Sequence, residues 1–181
     1  MQLTSDTIRN SIIRSTLVHA AAVETASGAI LFLGHSGAGK STLASKVSDF
    51  WPIIADDIVY LGKSAVNHIW YVADAKKINL SRIRFFPLFS FIRIFQSSTP
   101  EIKTITSLET CRHLTDSIFE IEIMKGVNKK IQHECFKITA DVARNYTGWQ
   151  LYATLGKETL SKLFENFPID GQSSDKNPIL S

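Results

Sequence analysis

Gly34-His35-Ser36-Gly37-Ala38-Gly39-Lys40-Ser41-Thr42 follows the pattern G-x-x-x-x-G-K-[ST], and the residues around it supply the context that pattern needs. Ala29-Ile30-Leu31-Phe32-Leu33 before it is a short apolar run with the character of a buried strand. Ser41 to Phe50 after it reads as a helix, with Leu43, Ala44 and Val47 on one face. Gly37 and Gly39 allow positive φ angles, so successive N–H groups can turn inward around a phosphate. The positive end of the helix dipole faces the same anion. In such a loop Lys40 reaches the β- and γ-phosphates, and the Ser41 hydroxyl ligates Mg²⁺. The whole stretch from Gly34 to Thr42 is therefore expected to hold a nucleoside triphosphate, with ATP as the leading candidate. The competing explanation is a Gly/Ser connection that joins a strand to a helix without a ligand.

Composition frames that expectation. The chain has 181 residues, 44% hydrophobic and 20% charged, enough for a core without disulfide or metal staples. Its formal charge of +3 is spread out. Arg82, Arg84 and Arg93 form one local basic group and Lys125, Lys129 and Lys130 a smaller one, neither dense enough for a nucleic-acid partner. Cys111 and Cys135 lack metal-type spacing and read as packed thiols in a reducing cytoplasm, the expected location. Met1 to Ser15 has no apolar signal core, and the apolar stretch Ile83 to Phe95 is cut by Arg84, Pro87 and Arg93, so no membrane segment is expected.

Read along its length, the chain is one α/β domain over residues 1–169 with a polar, disordered tail over 170–181. Its N-terminal half is strand-rich and its C-terminal half carries the helices. Asp6 to Arg14 reads as a short helix or arm, and Thr16 to Val23 as a strand in a hairpin with the apolar strand before the loop. Trp51-Pro52 stops the helix after the loop, and Ile53-Ile54-Ala55 is a short strand ending on Asp56-Asp57. Ile58 to Leu61 and Ala65 to Ala73 read as a further hairpin. Lys76 to Leu80 and Phe91 to Gln96 are expected strands joined by an irregular Phe85-Phe86-Pro87 link. Helices are expected from Ser107, a plausible cap, through Leu114, and over Lys129 to Arg144. Trp149 to Leu155 is a last strand and Lys157 to Phe167 a last helix.

The pair Asp56-Asp57 is the second informative feature. A metal-bound triphosphate needs a carboxylate near the metal, and transfer to a hydroxyl benefits from a base that takes its proton. Two adjacent carboxylates at a strand end can divide those tasks. Paired Asp residues are also common in simple polar turns.

The order His19-Ala20, then Gly34-His35-Ser36-Gly37-Ala38-Gly39-Lys40-Ser41, then Ile53-Ile54-Ala55-Asp56-Asp57 resembles the catalytic domain of HPr kinase/phosphorylase. More broadly it resembles the nucleotide-binding domain shared with ATP-dependent phosphoenolpyruvate carboxykinase. Over roughly Thr16 to Leu61 that resemblance implies a phosphate-loop fold of this type. It implies Asp57 as proton acceptor for the attacking hydroxyl, Lys40 on the phosphate, Ser41 on Mg²⁺, and His19 close to the transferred phosphate; the division of tasks within the acidic pair then leaves Asp56 for the metal. By alternation alone His19 sits with Leu17, Ala21 and Val23 and reads equally as a core residue. Thr42 stands where the bacterial HPr kinases usually carry Glu, and no glycine-rich acidic segment follows downstream. The chain is thus more similar to short HPr-kinase-related proteins than to the full kinases.

The function expected from these readings is ATP- and Mg²⁺-dependent phosphoryl transfer to a hydroxyl of a small molecule, peptide or protein serine. A nucleotide-binding switch or partner module without efficient transfer is the alternative, and phosphoenolpyruvate carboxykinase activity ranks below both. Arg82, Arg84 and Arg93 flank an aromatic stretch and are candidates for the acceptor side. A homo-oligomer is compatible with the sequence.

Overall fold

A computed structural model describes residues 3–80, 83–125, 129–154 and 156–167. Arg82 and the expected tail over 170–181 lie outside the described residues, as do the side chains of Lys125, Lys129 and Lys130. In chain order the elements are α1 (Ser5–Asn10), β1 (Ile12–Thr25), β2 (Gly28–Leu33), α2 (Lys40–Val47), β3 (Ile53–Ala55), β4 (Ile58–Ser64) and β5 (Trp70–Asp74). There follow a 3₁₀ turn at Ala75–Lys77, then β6 (Phe86–Gln96), β7 (Glu101–Ile105), α3 (Ser107–Lys125), α4 (Lys129–Asn145), β8 (Gly148–Ala153) and α5 (Lys157–Asn166). The result is a mixed α/β structure: β1 to β6 fill the first half, while the helix-rich second half also adds β7 and β8.

Eight strands among the described residues join in one sheet, in the order β2-β1-β4-β5-β6-β8-β7, with β3 on β1 and a closing pair between β2 and β6. β2 is the buried centre. Its six residues are all buried, with β1 antiparallel on one edge and β6 parallel on the other. Such a strand can be apolar on both faces because helices cover both. On one face Leu43, Ala44 and Val47 of α2 pack with Ile30, Phe32, Ile92 and Ile94, and with Leu163 and Phe164 of α5. On the other, Leu114 and Ile118 of α3 and Ile138 and Val142 of α4 pack against Leu31, Leu33 and Phe91.

β3 and β4 are two parts of one interrupted strand. Ala22 pairs with Ala55 and His19 with Ile58, so both parts lie along β1 in a single register. Asp56 and Asp57 fill the gap, with the Ala20 N–H donating to the Asp57 carbonyl at 3.2 Å. Asp57 has φ +82°, a left-handed conformation unusual for a non-glycine residue. The break thus turns the acidic pair out of the ladder beside His19.

Several elements differ from the sequence reading. Lys76 to Leu80 is no strand: the Asp74 carboxylate accepts from the Lys76 N–H and starts a 3₁₀ turn. β6 starts at Phe86 and includes Pro87, because Phe86 and Pro87 pair with Val72 and Tyr71 before β6 moves alongside β2. β5 begins at Trp70, not Ala65, and α2 closes at Val47, with Trp51 folding back to donate to the Val47 carbonyl. β7, a half-exposed edge strand, was not expected at all. The α3 cap is Thr106, not Ser107. Thr106 Oγ1 accepts from the Glu109 N–H while the Glu109 carboxylate accepts from the Thr106 N–H, a reciprocal capping box. Cys135 is buried and Cys111 half-buried. No helix among the described residues is long and apolar enough to cross a membrane.

Candidate functional site

The loop between β2 and α2 gathers the candidate residues. Gly37 and Gly39 have φ +79° and +99°, the left-handed values expected of them. A side chain at Gly34 would place its Cβ 2.7 Å from that of Ala38, so the loop closes only with glycine there. The Ala38 N–H donates to the His35 carbonyl at 3.1 Å and is already used within the loop. Lys40 opens α2 and is 7% exposed, its ammonium donating to the Gly34 carbonyl at 2.8 Å and to that of His35 at 3.2 Å. Burial pushes this ammonium below the ordinary lysine value of 10.5, and the nearby carboxylate of Glu120 partly offsets the effect.

A cavity of about 290 Å³ opens beside the loop, lined by loop residues 36, 37 and 39–42 together with His19 and Asp57. Its volume lies at the lower end of the range of ligand pockets, about 300–1,000 Å³. Gly34, His35 and Ala38 do not line it; they shape the loop and hold Lys40. The Ser41 hydroxyl donates to Asp56 Oδ1 at 2.7 Å, which puts the two residues expected to hold a metal side by side. Among the described residues no group of three or more His, Cys, Asp or Glu is arranged to hold a metal on its own. A hydroxyl and one carboxylate still fit Mg²⁺, which keeps several waters and takes its other ligands from substrate phosphates.

Asp57 lies between His19 and Lys76. Its Oδ1 is 3.8 Å from His19 Nε2, and its Oδ2 is 3.7 Å from the Lys76 ammonium. His19 is not a core residue: its side chain is 20% exposed and it lines the cavity. Its other nitrogen, Nδ1, is hydrogen-bonded to Glu120 Oε2 of α3.

Glu120 and Lys76 were missed by the sequence reading. Glu120 carries no local motif and reaches the site only because α3 packs across β1. Lys76 sits in the segment read as a strand.

The arginine group does not act as one unit. Arg84 donates to Glu24, five residues along β1 from His19, stacks over Phe86 and does not line the cavity. Arg93 pairs with Leu33, the residue before the loop, and faces Asp116 and Glu120. Burial lowers its guanidinium below the usual arginine value, and its Nε and Nη1 are buried without a hydrogen-bond partner. At the end of the same strand the Gln96 amide donates to the Gly37 carbonyl at 3.1 Å, tying β6 to the loop.

No protein-family model matches the chain, and no curated protein matches it. Among solved structures, the HPr(Ser) kinase/phosphatase from Coxiella burnetii aligns over 50% of this chain and 71% of its own, with 15% identity and a TM-score of 0.31.

Proposed function

We propose that the protein is an ATP- and Mg²⁺-dependent phosphotransferase acting on a hydroxyl group of a small molecule, peptide or protein serine. The observation that carries this reading is convergence on one cavity: Lys40 and Ser41 of the loop line it together with His19 and Asp57, and Asp56 is joined to it through its hydrogen bond from Ser41. The loop amides and Lys40 bind the triphosphate and counter the charge that builds on the transferred group. Lys40 would exchange its two carbonyl partners for phosphate oxygens. Ser41 and Asp56 would hold Mg²⁺, which when bound neutralises phosphate charge and orients the leaving group. Asp57, 58% exposed and bordering the cavity, is placed to take the acceptor proton.

Calorimetry with MgATP, combined with phosphate release and transfer to a panel of hydroxyl compounds and serine peptides, tests the reading. Asp57→Asn should bind MgATP and lose turnover, whereas Asp56→Asn should raise the Mg²⁺ concentration needed for binding. Failure of the native protein to bind MgATP rejects the proposal. Binding without transfer to any acceptor would assign a nucleotide-binding module instead.

A further inference from the structure

We propose that Glu120 is a positioning residue that holds the His19 ring so that Nε2 accepts the proton Asp57 removes from the acceptor. The inference rests on the phosphotransferase reading above and extends it to a residue with no motif.

The geometry is a chain of three side chains, from α3, β1 and the junction between β3 and β4. Glu120 Oε2 meets His19 Nδ1, and His19 Nε2 faces Asp57 Oδ1 at 3.8 Å. A carboxylate can only accept a hydrogen bond, so Nδ1 must carry the hydrogen. On the neutral ring, Nε2 is then left with its lone pair, 3.8 Å from an oxygen of the residue expected to act as base. This is the logic of an oriented histidine: one carboxylate fixes the tautomer, and the opposite nitrogen handles the proton. The 3.8 Å gap is longer than a hydrogen bond, as is common before a substrate closes such a site. Lys40 and Arg93 are the cations whose fields reach Glu120 from the loop and from β6.

The step balances without a further reagent. The acceptor oxygen bonds to the γ-phosphorus as the bond from that phosphorus to the β–γ bridging oxygen breaks, leaving a nucleoside diphosphate. The acceptor O–H proton passes to Asp57 and from there to His19 Nε2. The resulting imidazolium sits between the carboxylates of Glu120 and Asp57. Asp57 is ionised again, while the phosphorylated acceptor leaves the cavity.

Long-range ¹H–¹⁵N correlation spectra of the His19 ring test this on the full chain, with the His19→Gln protein used to assign the signals. The native neutral ring should be the Nδ1–H tautomer. In Glu120→Gln the side-chain amide can donate to Nδ1 as well as accept from it, so the Nε2–H form should appear. Glu120→Gln should keep MgATP affinity and melting temperature while kcat falls by at least about 10-fold. A native Nε2–H ring overturns the proposal, as does a Glu120→Gln protein that keeps both tautomer and kcat. A shifted tautomer with unchanged kcat also overturns it, because the contact would then be structural. If the native protein transfers to no acceptor, the phosphotransferase reading fails and the proton route falls with it. The ring spectra still decide separately whether Glu120 sets the tautomer.

Discussion

At position 57 a set of substitutions is expected to rank one way in stability and another in activity. Asp57 has φ +82°, a conformation that costs a side-chain-bearing residue about 1–2 kcal/mol, less for Asp and Asn. Its contacts with the His19 ring and the Lys76 ammonium, at 3.8 and 3.7 Å, involve a carboxylate that is 58% exposed, so their loss costs only about a few tenths of a kcal/mol. Asp57→Gly and Asp57→Asn should therefore melt close to the native protein. Asp57→Ala should be about 1 kcal/mol less stable than Asp57→Gly, or roughly 2–4 °C for a chain of this size. Asp57→Val, branched at Cβ, should fall further. Activity should not follow that order: all four lose the base and should drop by about 10²–10⁴ in turnover while still binding MgATP. Thermal melts, calorimetry and single-turnover assays on the same preparations read the three quantities. Asp57→Ala melting with or above Asp57→Gly would refute the strain argument, and an Asp57→Asn protein with native turnover would refute the base.

Lys40→Met should weaken MgATP binding by about 10- to 100-fold, the loss of one charge-assisted contact, without lowering the melting temperature, because a buried ammonium leaves the interior; native affinity by calorimetry would refute it. The same burial lowers Lys40 below 10.5, so in the alkaline range just under that value the free protein has lost a proton that bound phosphate restores. Nucleotide binding there should take up a proton, measurable as a buffer-dependent binding enthalpy. The unfolded chain keeps its Lys40 proton across that window, so the Lys40 contribution to stability should rise with pH through it. Thr106→Ala removes one half of the capping box on α3 and should cost about 0.5–2 kcal/mol in a denaturant melt, with MgATP affinity unchanged.

What could be read from the chain was what lies close together in sequence. The glycine-rich loop, the β1–β2 hairpin and α2 follow from local pattern, as do α4 and the first half of α3, which runs on past the expected Leu114 to Lys125. Thr106-Ser107-Leu108-Glu109 also carried a readable signal, a capping box one residue before the position chosen as the cap. Other features had no local signature. Lys76-Lys77-Ile78 looks strand-like only while the Asp74 side chain, which caps the 3₁₀ turn, is left out of account. β7 shows no clean alternation because one edge and much of its surface stay open. Glu120 lies 101 residues from His19, and nothing near it in the chain marks it. Arg84 and Arg93 look like one group in sequence, yet Arg84 precedes the eleven-residue β6 while Arg93 lies near its far end, opposite Leu33 and the loop. The positive φ at Asp57 is likewise invisible in composition. It arises where an interrupted strand has to stay in register.

That shared register makes residue count in this segment as binding as residue identity. Ala55 and Ile58 pair with Ala22 and His19, so the two aspartates take up the same number of positions as the stretch of β1 opposite them. An insertion or deletion of one residue in this junction would move β4 by one step, taking Val59 and Leu61 out of the cluster under α3 and α4 and Tyr60 away from Phe85. Libraries that vary the side chains at 56 and 57 should therefore yield folded proteins, while libraries that vary the length of this junction should not.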